Sequence, residues 1–127
     1  MNNMKYSIIT ATKNDDDNLL KTIISVGGQI GVQHEHIIID ADSTDKSLTF
    51  INKYQAIYNI RFISEQDEGI SDAFNKGIEL AVGNWLIVLG AGDTFINPYV
   101  LKYVDKKLDL MNDYYVVWGN TLLINSN

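Results

Sequence analysis

Two apolar rhythms alternate along the chain. Tyr6–Thr12, His36–Asp40, Asn59–Ile63 and Trp85–Leu89 are compact runs rich in β-branched or aromatic residues. Such runs read as strands, and their near-continuous apolar character suits a sheet covered on both faces. Between them the spacing changes to that of a helix. Leu19, Leu20, Ile23, Ile24 and Ile30 mark the first helical stretch, with Asn14 as its N-cap and Asp15, Asp16 and Asp17 in its first turn. Leu48, Ile51 and Tyr54 mark the second, capped by Ser43 or Thr44. Ile70, Ala73, Phe74, Gly77, Ile78 and Ala81 mark the third, with Gly83 as its C′ residue. Asn97 and Pro98 open the fourth, which carries Val100, Leu101, Val104, Leu108 and Met111. Tyr114–Trp118 and Thr121–Ile124 add one or two further strands.

This alternation implies an α/β fold, with a mostly parallel central sheet and helices on both faces. Ligands of such sheets sit beyond the carboxyl ends of the strands, near the point where strand order reverses. The segments following the strands are polar and mostly acidic: Thr10–Asn14, Asp40–Asp45, Ser64–Gly69 and Gly90–Asp93. The sheet gathers them on one rim. Oxygen-rich loops there accept hydrogen bonds from a nucleoside, coordinate Mg2+ or Mn2+, or act as general bases. Asp40 and Asp67 suit the first role. Asp93 suits the second, because small residues before it let a diphosphate approach the backbone.

Each of these residues also has a plainer reading. Asp40, Ser43 and Asp45 are good turn and cap residues, Asp67–Gly69 reads as a solvated turn, Asp93 as a cap, and Asn75 as a surface helix residue. His34 and His36 begin a strand at the edge away from the rim and are read as structural or solvated. The run Gly27–Gly31 follows a helix rather than a strand, so it is not a dinucleotide fingerprint.

Composition narrows the choice. A chain of 127 residues makes one domain with a real core. Its net charge of −6 argues against a generic nucleic-acid binder, which would show a basic stripe. Phosphate binding by so acidic a chain calls for a bound cation or a helix N-terminus. With no cysteine, disulfides, thiolate metal sites and cysteine nucleophiles are excluded. Met1–Lys5 lacks the apolar stretch of a signal peptide, and no apolar run is long enough to span a bilayer. The expected location is the cytoplasm, with peripheral association at the inner face of the membrane left open.

Three stretches carry a resemblance: Ser7–Asn14, Ile37–Asp45 and Asp67–Gly77. In this order and at these strand ends they resemble the family 2 glycosyltransferases of GT-A fold, in particular the bacterial enzymes that build surface polysaccharides. The resemblance implies that residues 1–127 form a single nucleotide-sugar-binding domain with a Rossmann-like sheet. Thr10 and Thr12 would line a uridine pocket, and Asn14 would share that rim. Asp40 would bind the base or ribose, with Ser43 and Asp45 closing its loop. Asp67 would lie near the nucleoside or donor sugar, with Gly69, Asn75 and Gly77 shaping the loop and helix behind it. Gly90–Asp93 falls where the family carries an Asp-x-Asp metal motif. Here Gly92 precedes a single carboxylate, Asp93, so one protein ligand would share Mn2+ or Mg2+ with the diphosphate and water.

The implied reaction is an inverting transfer from a nucleotide-diphosphate sugar, with UDP as the expected nucleotide, to a saccharide or lipid-linked acceptor. The acceptor site and the carboxylate base are expected in a C-terminal part that this sequence does not contain. Two rivals remain at this stage. One is a binding-only nucleotide-sugar domain without transfer activity. The other is a phospho-receiver domain, which wants an Asp ending strand three where Ser64-Glu65 stands. Self-association to a homo-oligomer is a further expectation, through apolar surface where the acceptor part would dock.

Overall fold

A computed structural model of the chain describes residues 4–111, 116–117 and 119–124. Among them, strands β1 (Tyr6–Thr12), β2 (His34–Asp40), β3 (Ile60–Ser64) and β4 (Trp85–Val88) form one sheet in the order β3-β2-β1-β4. Every pairing is parallel. Helices α1 (Asp16–Gly27), α2 (Ser47–Gln55), α3 (Ile70–Leu80) and α4 (Val100–Asp109) complete the fold. The expected α/β architecture, with helices on both faces, is therefore what is observed.

The topology follows from the hand of the crossovers. Moving outward from β1 through β2 to β3 lays α1 and α2 over one face; returning from β3 to β4 with the same hand puts α3 on the other. On the first face Leu19, Ile23, Ile38, Ile51 and Ile60 pack together. Beside them Tyr6, Ile8, Val26, Leu101 and Leu108 bring in α4. On the second face Ile9, Ile37 and Ile39 meet Ala73 of α3. Each such isoleucine, removed from water, contributes roughly 1.5–3 kcal/mol. Helix α3 lies against β1 because Gly77 has no side chain: a Cβ there would stand 2.5 Å from Ile9 Cγ2.

A polar cluster ties the sheet at the end away from the rim. Glu35, 1% exposed, accepts from Ser7 Oγ at 2.6 Å, from Val82 N–H at 2.9 Å, and from Arg61 at 2.8 and 3.1 Å. Arg61 also donates to Leu80 O, and Gly83 N–H donates to Ser7 Oγ at 2.8 Å. Three strands and the α3–β4 connection are thus pinned by one carboxylate.

Several element ends differ from the sequence expectation. Asp15, not Asn14, occupies the N-cap of α1, because Asn14 turns with a φ of 47° and its amide bonds elsewhere. Helix α2 starts at Ser47, later than a Ser43 or Thr44 cap would place it; the Asp45 carboxylate takes the Ser47 N–H at 3.0 Å. Helix α3 leaves through extended Ala81 rather than a glycine C′. Gly83 instead permits contact with β1, since a Cβ there would stand 2.7 Å from Ser7 N. Helix α4 begins at Val100, after a turn in which Asn97 Oδ1 accepts the Tyr99 N–H at 2.8 Å. Thr121–Ile124 is exposed and forms no strand. Within Tyr114–Trp118 only Val116 and Val117 are described, neither in a strand; the rest of that expectation lies outside the described residues.

Candidate functional site

The strand order reverses between β1 and β4, so the rim crevice opens where β1 ends at Thr12. A cavity of about 390 Å3 lies there, lined by Thr12, Lys13, Ala41, Asp67, Gly69 and Ile70 among others. That volume is within the range of small-molecule sites. Thr12 is 7% exposed, and its hydroxyl has no hydrogen-bond partner among the described residues. A buried hydroxyl left without a partner costs about 1–3 kcal/mol, which a ligand at this wall would recover. Asp67 is half-buried; its Oδ1 accepts the Gly69 N–H at 3.0 Å and its second oxygen remains for the cavity. Gly69, with φ 115°, opens α3. Asp72 and Lys76 hold the same loop: Asp72 accepts the Glu68 N–H at 3.0 Å, and Lys76 pairs with Glu65 at 3.0 Å. The Glu68 N–H and the nearby Lys76 keep the Asp72 carboxyl below its ordinary range.

The neighbouring loops are laced together. Ser43 Oγ accepts the Asn14 N–H at 2.8 Å, and Asn14 Oδ1 accepts the Thr44 N–H at 2.7 Å. Asp45 Oδ2 accepts the Asp16 N–H and Asp16 Oδ2 accepts the Lys46 N–H, each at 3.0 Å. Burial pushes the Asp45 carboxyl up, but hydrogen bonds from Ser47 and Asp16 outweigh it and bring the group below its ordinary value. Asn14 and Asp42 both adopt positive φ, 47° and 56°, a conformation that asparagine and aspartate tolerate better than most residues.

Two expected ligand residues, Asp40 and Thr10, are buried and bonded within the scaffold. Asp40 is wholly buried, and its carboxylate accepts from Ser43 N–H at 2.9 Å, Ser43 Oγ at 2.5 Å and Ser64 Oγ at 2.8 Å. Its oxygens hold the β2–α2 turn, and Asp40 is not among the residues lining the cavity. Thr10 is also wholly buried, on the sheet face opposite α3, with its hydroxyl 2.8 Å from His36 Nε2. It lies below the rim and does not line the cavity. Thr10 and Thr12 share a face by strand periodicity, and only the last one reaches the rim. Ser43, Asn14 and Asp45 tie the neighbouring loops together. Asn75 is exposed on α3 and does not line the cavity.

His36 is structural, as expected, but is not solvated. Its Nδ1 lies 2.9 Å from Tyr58 Oη, completing a Thr10–His36–Tyr58 chain through the core. Burial, reinforced by nearby His34, pushes its pKa down to about 3, so the imidazole is neutral at physiological pH. Burial also raises the Tyr58 phenol, with Tyr54 adding to the effect.

Asp93 is exposed on the turn after β4, closed by its N–H to Gly90 O at 3.0 Å. A Cβ on Gly90 would stand 3.1 Å from Asp93 Oδ2, and Gly92 adopts a φ of 97°. The missing side chain of Gly90 thus leaves room beside the carboxylate that a Cβ would crowd. No cluster of three or more His, Cys, Asp or Glu able to hold a metal occurs among the described residues. One hard oxygen donor beside such a space fits a Mg2+ or Mn2+ ion that draws its other ligands from a diphosphate and water.

Sequence reasoning passed over Lys13, Ala41 and Ile70, which also line the cavity. Lys13 had a signal: it is the cation of the first rim loop in an acidic chain. A second hollow, of about 500 Å3, lies between α1 and residues 94–98. None of the rim carboxylates lines it. No described helix is long and apolar enough to cross a membrane.

The comparisons with known proteins bear on the fold and the family. Residues 7–126 match the glycosyl transferase family 2 model. A PGL/p-HBAD biosynthesis glycosyltransferase of Mycobacterium tuberculosis is 30% identical over 96% of this chain and 48% of its own length. The chain thus spans about half the length of the curated relatives it matches. Among solved structures, S. aureus TarS in complex with UDP superimposes with a TM-score of 0.74 at 26% identity, over 84% of this chain and 32% of that one. A Pyrobaculum calidifontis mannosyltransferase, in complex with GDP-Man and Mn2+, gives 0.69 at 16% identity over 74% of this chain and 29% of that one, a likeness of fold. On this match, and with the parallel sheet and rim cavity that accompany it, the chain belongs to glycosyl transferase family 2.

Proposed function

We propose that this chain binds the donor of an inverting glycosyltransferase, a UDP-linked sugar, which is passed to a saccharide or lipid-linked acceptor in surface polysaccharide synthesis. The rim cavity carries the proposal: Thr12 supplies a buried, unpartnered hydroxyl, Asp67 a free carboxylate oxygen and Lys13 a cation. These groups suit the hydroxyls of a nucleoside and the charge of a diphosphate. The complexes of TarS with UDP and with UDP-GlcNAc support a uridine nucleotide. Asp93 would hold Mn2+ or Mg2+ against the diphosphate, and the cation would neutralise charge on the departing phosphates. The described rim residues orient the donor; none is assigned as the base that takes the acceptor proton.

Calorimetric titration of UDP tests this. Affinity is expected to rise when Mn2+ is added. Asp93→Ala should abolish that rise, by about tenfold or more, while leaving metal-free binding at the Thr12–Asp67 cavity. Absence of binding at roughly millimolar UDP with metal would overturn the proposal. Thr12→Val should weaken UDP binding with and without metal by about fivefold, since one hydrogen bond is worth about 1 kcal/mol.

A further inference from the structure

Thr22 lies outside the donor cavity, in α1 between the buried Leu19, Ile23 and Val26. A buried threonine inside a helix commonly bonds back to its own helix. Here the wholly buried Thr22 reaches to the turn that carries Asp93. Its hydroxyl accepts the Gly92 N–H at 2.9 Å and donates to Asp93 O at 2.8 Å, with Gly90 O at 3.3 Å sharing the same hydrogen. Ser25 continues the same side of the helix, three positions on, and Gln29 follows just beyond the helix end. Ser25 Oγ accepts the Phe95 N–H at 2.8 Å. Gln29 donates to Asn97 O at 2.7 Å and accepts the Leu101 N–H at 3.1 Å. The turn itself has glycines at 90 and 92, with Gly92 at φ 97°, and so little stiffness of its own.

We infer that Thr22 is a positioning residue for Asp93: its hydroxyl fixes three backbone groups of the turn and thereby the place of the carboxylate. This rests on the proposed metal role of Asp93. Thr22→Val keeps the shape and removes the hydroxyl. UDP is titrated into wild type and variant, without metal and with Mn2+, and amide exchange is followed at residues 90–93. In Thr22→Val the metal-free UDP affinity should stay within about twofold, while the gain on adding Mn2+ falls about tenfold. Exchange should quicken at Gly92, and Thr22→Ser should restore both readouts. A full Mn2+ gain in Thr22→Val overturns the inference and leaves the role of Asp93 standing. Equal weakening with and without metal also overturns it, as a general structural loss. A wild type with no Mn2+ gain overturns the Asp93 role and this inference together. If Thr22→Val does not fold, Thr22→Cys, a weaker donor of similar size, should give an intermediate gain; a full gain there overturns the inference.

Discussion

Glu35→Ala is expected to lower the folding stability by roughly 2–4 kcal/mol, the cost of a buried hydroxyl that loses its acceptor together with the void left behind. The carboxylate is 1% exposed and receives Ser7 Oγ, Val82 N–H and the Arg61 guanidinium. Its loss removes the acceptor of the buried Ser7 hydroxyl and of the Val82 N–H and opens a void. Arg61 is 39% exposed and turns to water, so the main penalty falls on the buried Ser7 hydroxyl and the void. In a domain of ordinary stability that is a large fraction of the total. The melting temperature should drop by about 10–20 °C. Glu35→Gln should cost less, because an amide oxygen still accepts the Val82 N–H while the charge opposite Arg61 is lost. Urea denaturation followed by circular dichroism measures both. A Glu35→Ala variant within about 1 kcal/mol of wild type would show that the cluster contributes little.

Acid should destabilise the fold through His36. Its folded pKa lies near 3, below the ordinary 6.5, because burial disfavours the cation and His34 adds repulsion. The unfolded chain therefore takes up the proton first as pH falls. The contribution of neutral His36 is fully present above pH 6.5 and is lost progressively between pH 6.5 and 3. The slope approaches about 1.4 kcal/mol per pH unit, and the whole loss is on the order of 5 kcal/mol. Carboxylates titrate in the same range, so the comparison is with His36→Gln, whose amide can still bridge Thr10 and Tyr58. Stability measured from pH 7 to 4.5 should fall less steeply in that variant. Parallel pH profiles would refute the assignment.

Much of the architecture was legible because the strands announce themselves. Ile37-Ile38-Ile39 suits a strand buried on both faces, and the alternation of elements implies a parallel sheet. The rim loops were also legible as a group. Their division of labour was not. Asp40 looks like a ligand in sequence, but its three donors come from Ser43 and Ser64, and Ser64 sits in a strand whose register with β2 is set by tertiary packing. Thr10 and Thr12 are equivalent by strand period, and only the point where β1 ends separates them. Thr22 gave one faint signal, a hydroxyl at a position where helix spacing calls for an apolar side chain. Its partners lie 70 residues away and are invisible to any local pattern.

The sheet order has a consequence for how the chain is made. β1 is synthesised first, yet it lies inside the sheet, pairing Tyr6 with His34 on one side and with Trp85 on the other. At about 5–20 residues per second, several seconds separate the emergence of those two partners from the ribosome. During that interval β1 can pair with β2 but shows its other edge, with Ile8 and Ile9, to whatever is near. Closing so long a loop is slow in itself. The nascent chain should therefore depend on chaperone shielding until residues 85–88 arrive, and the rim, whose last loop follows β4, is completed only after that.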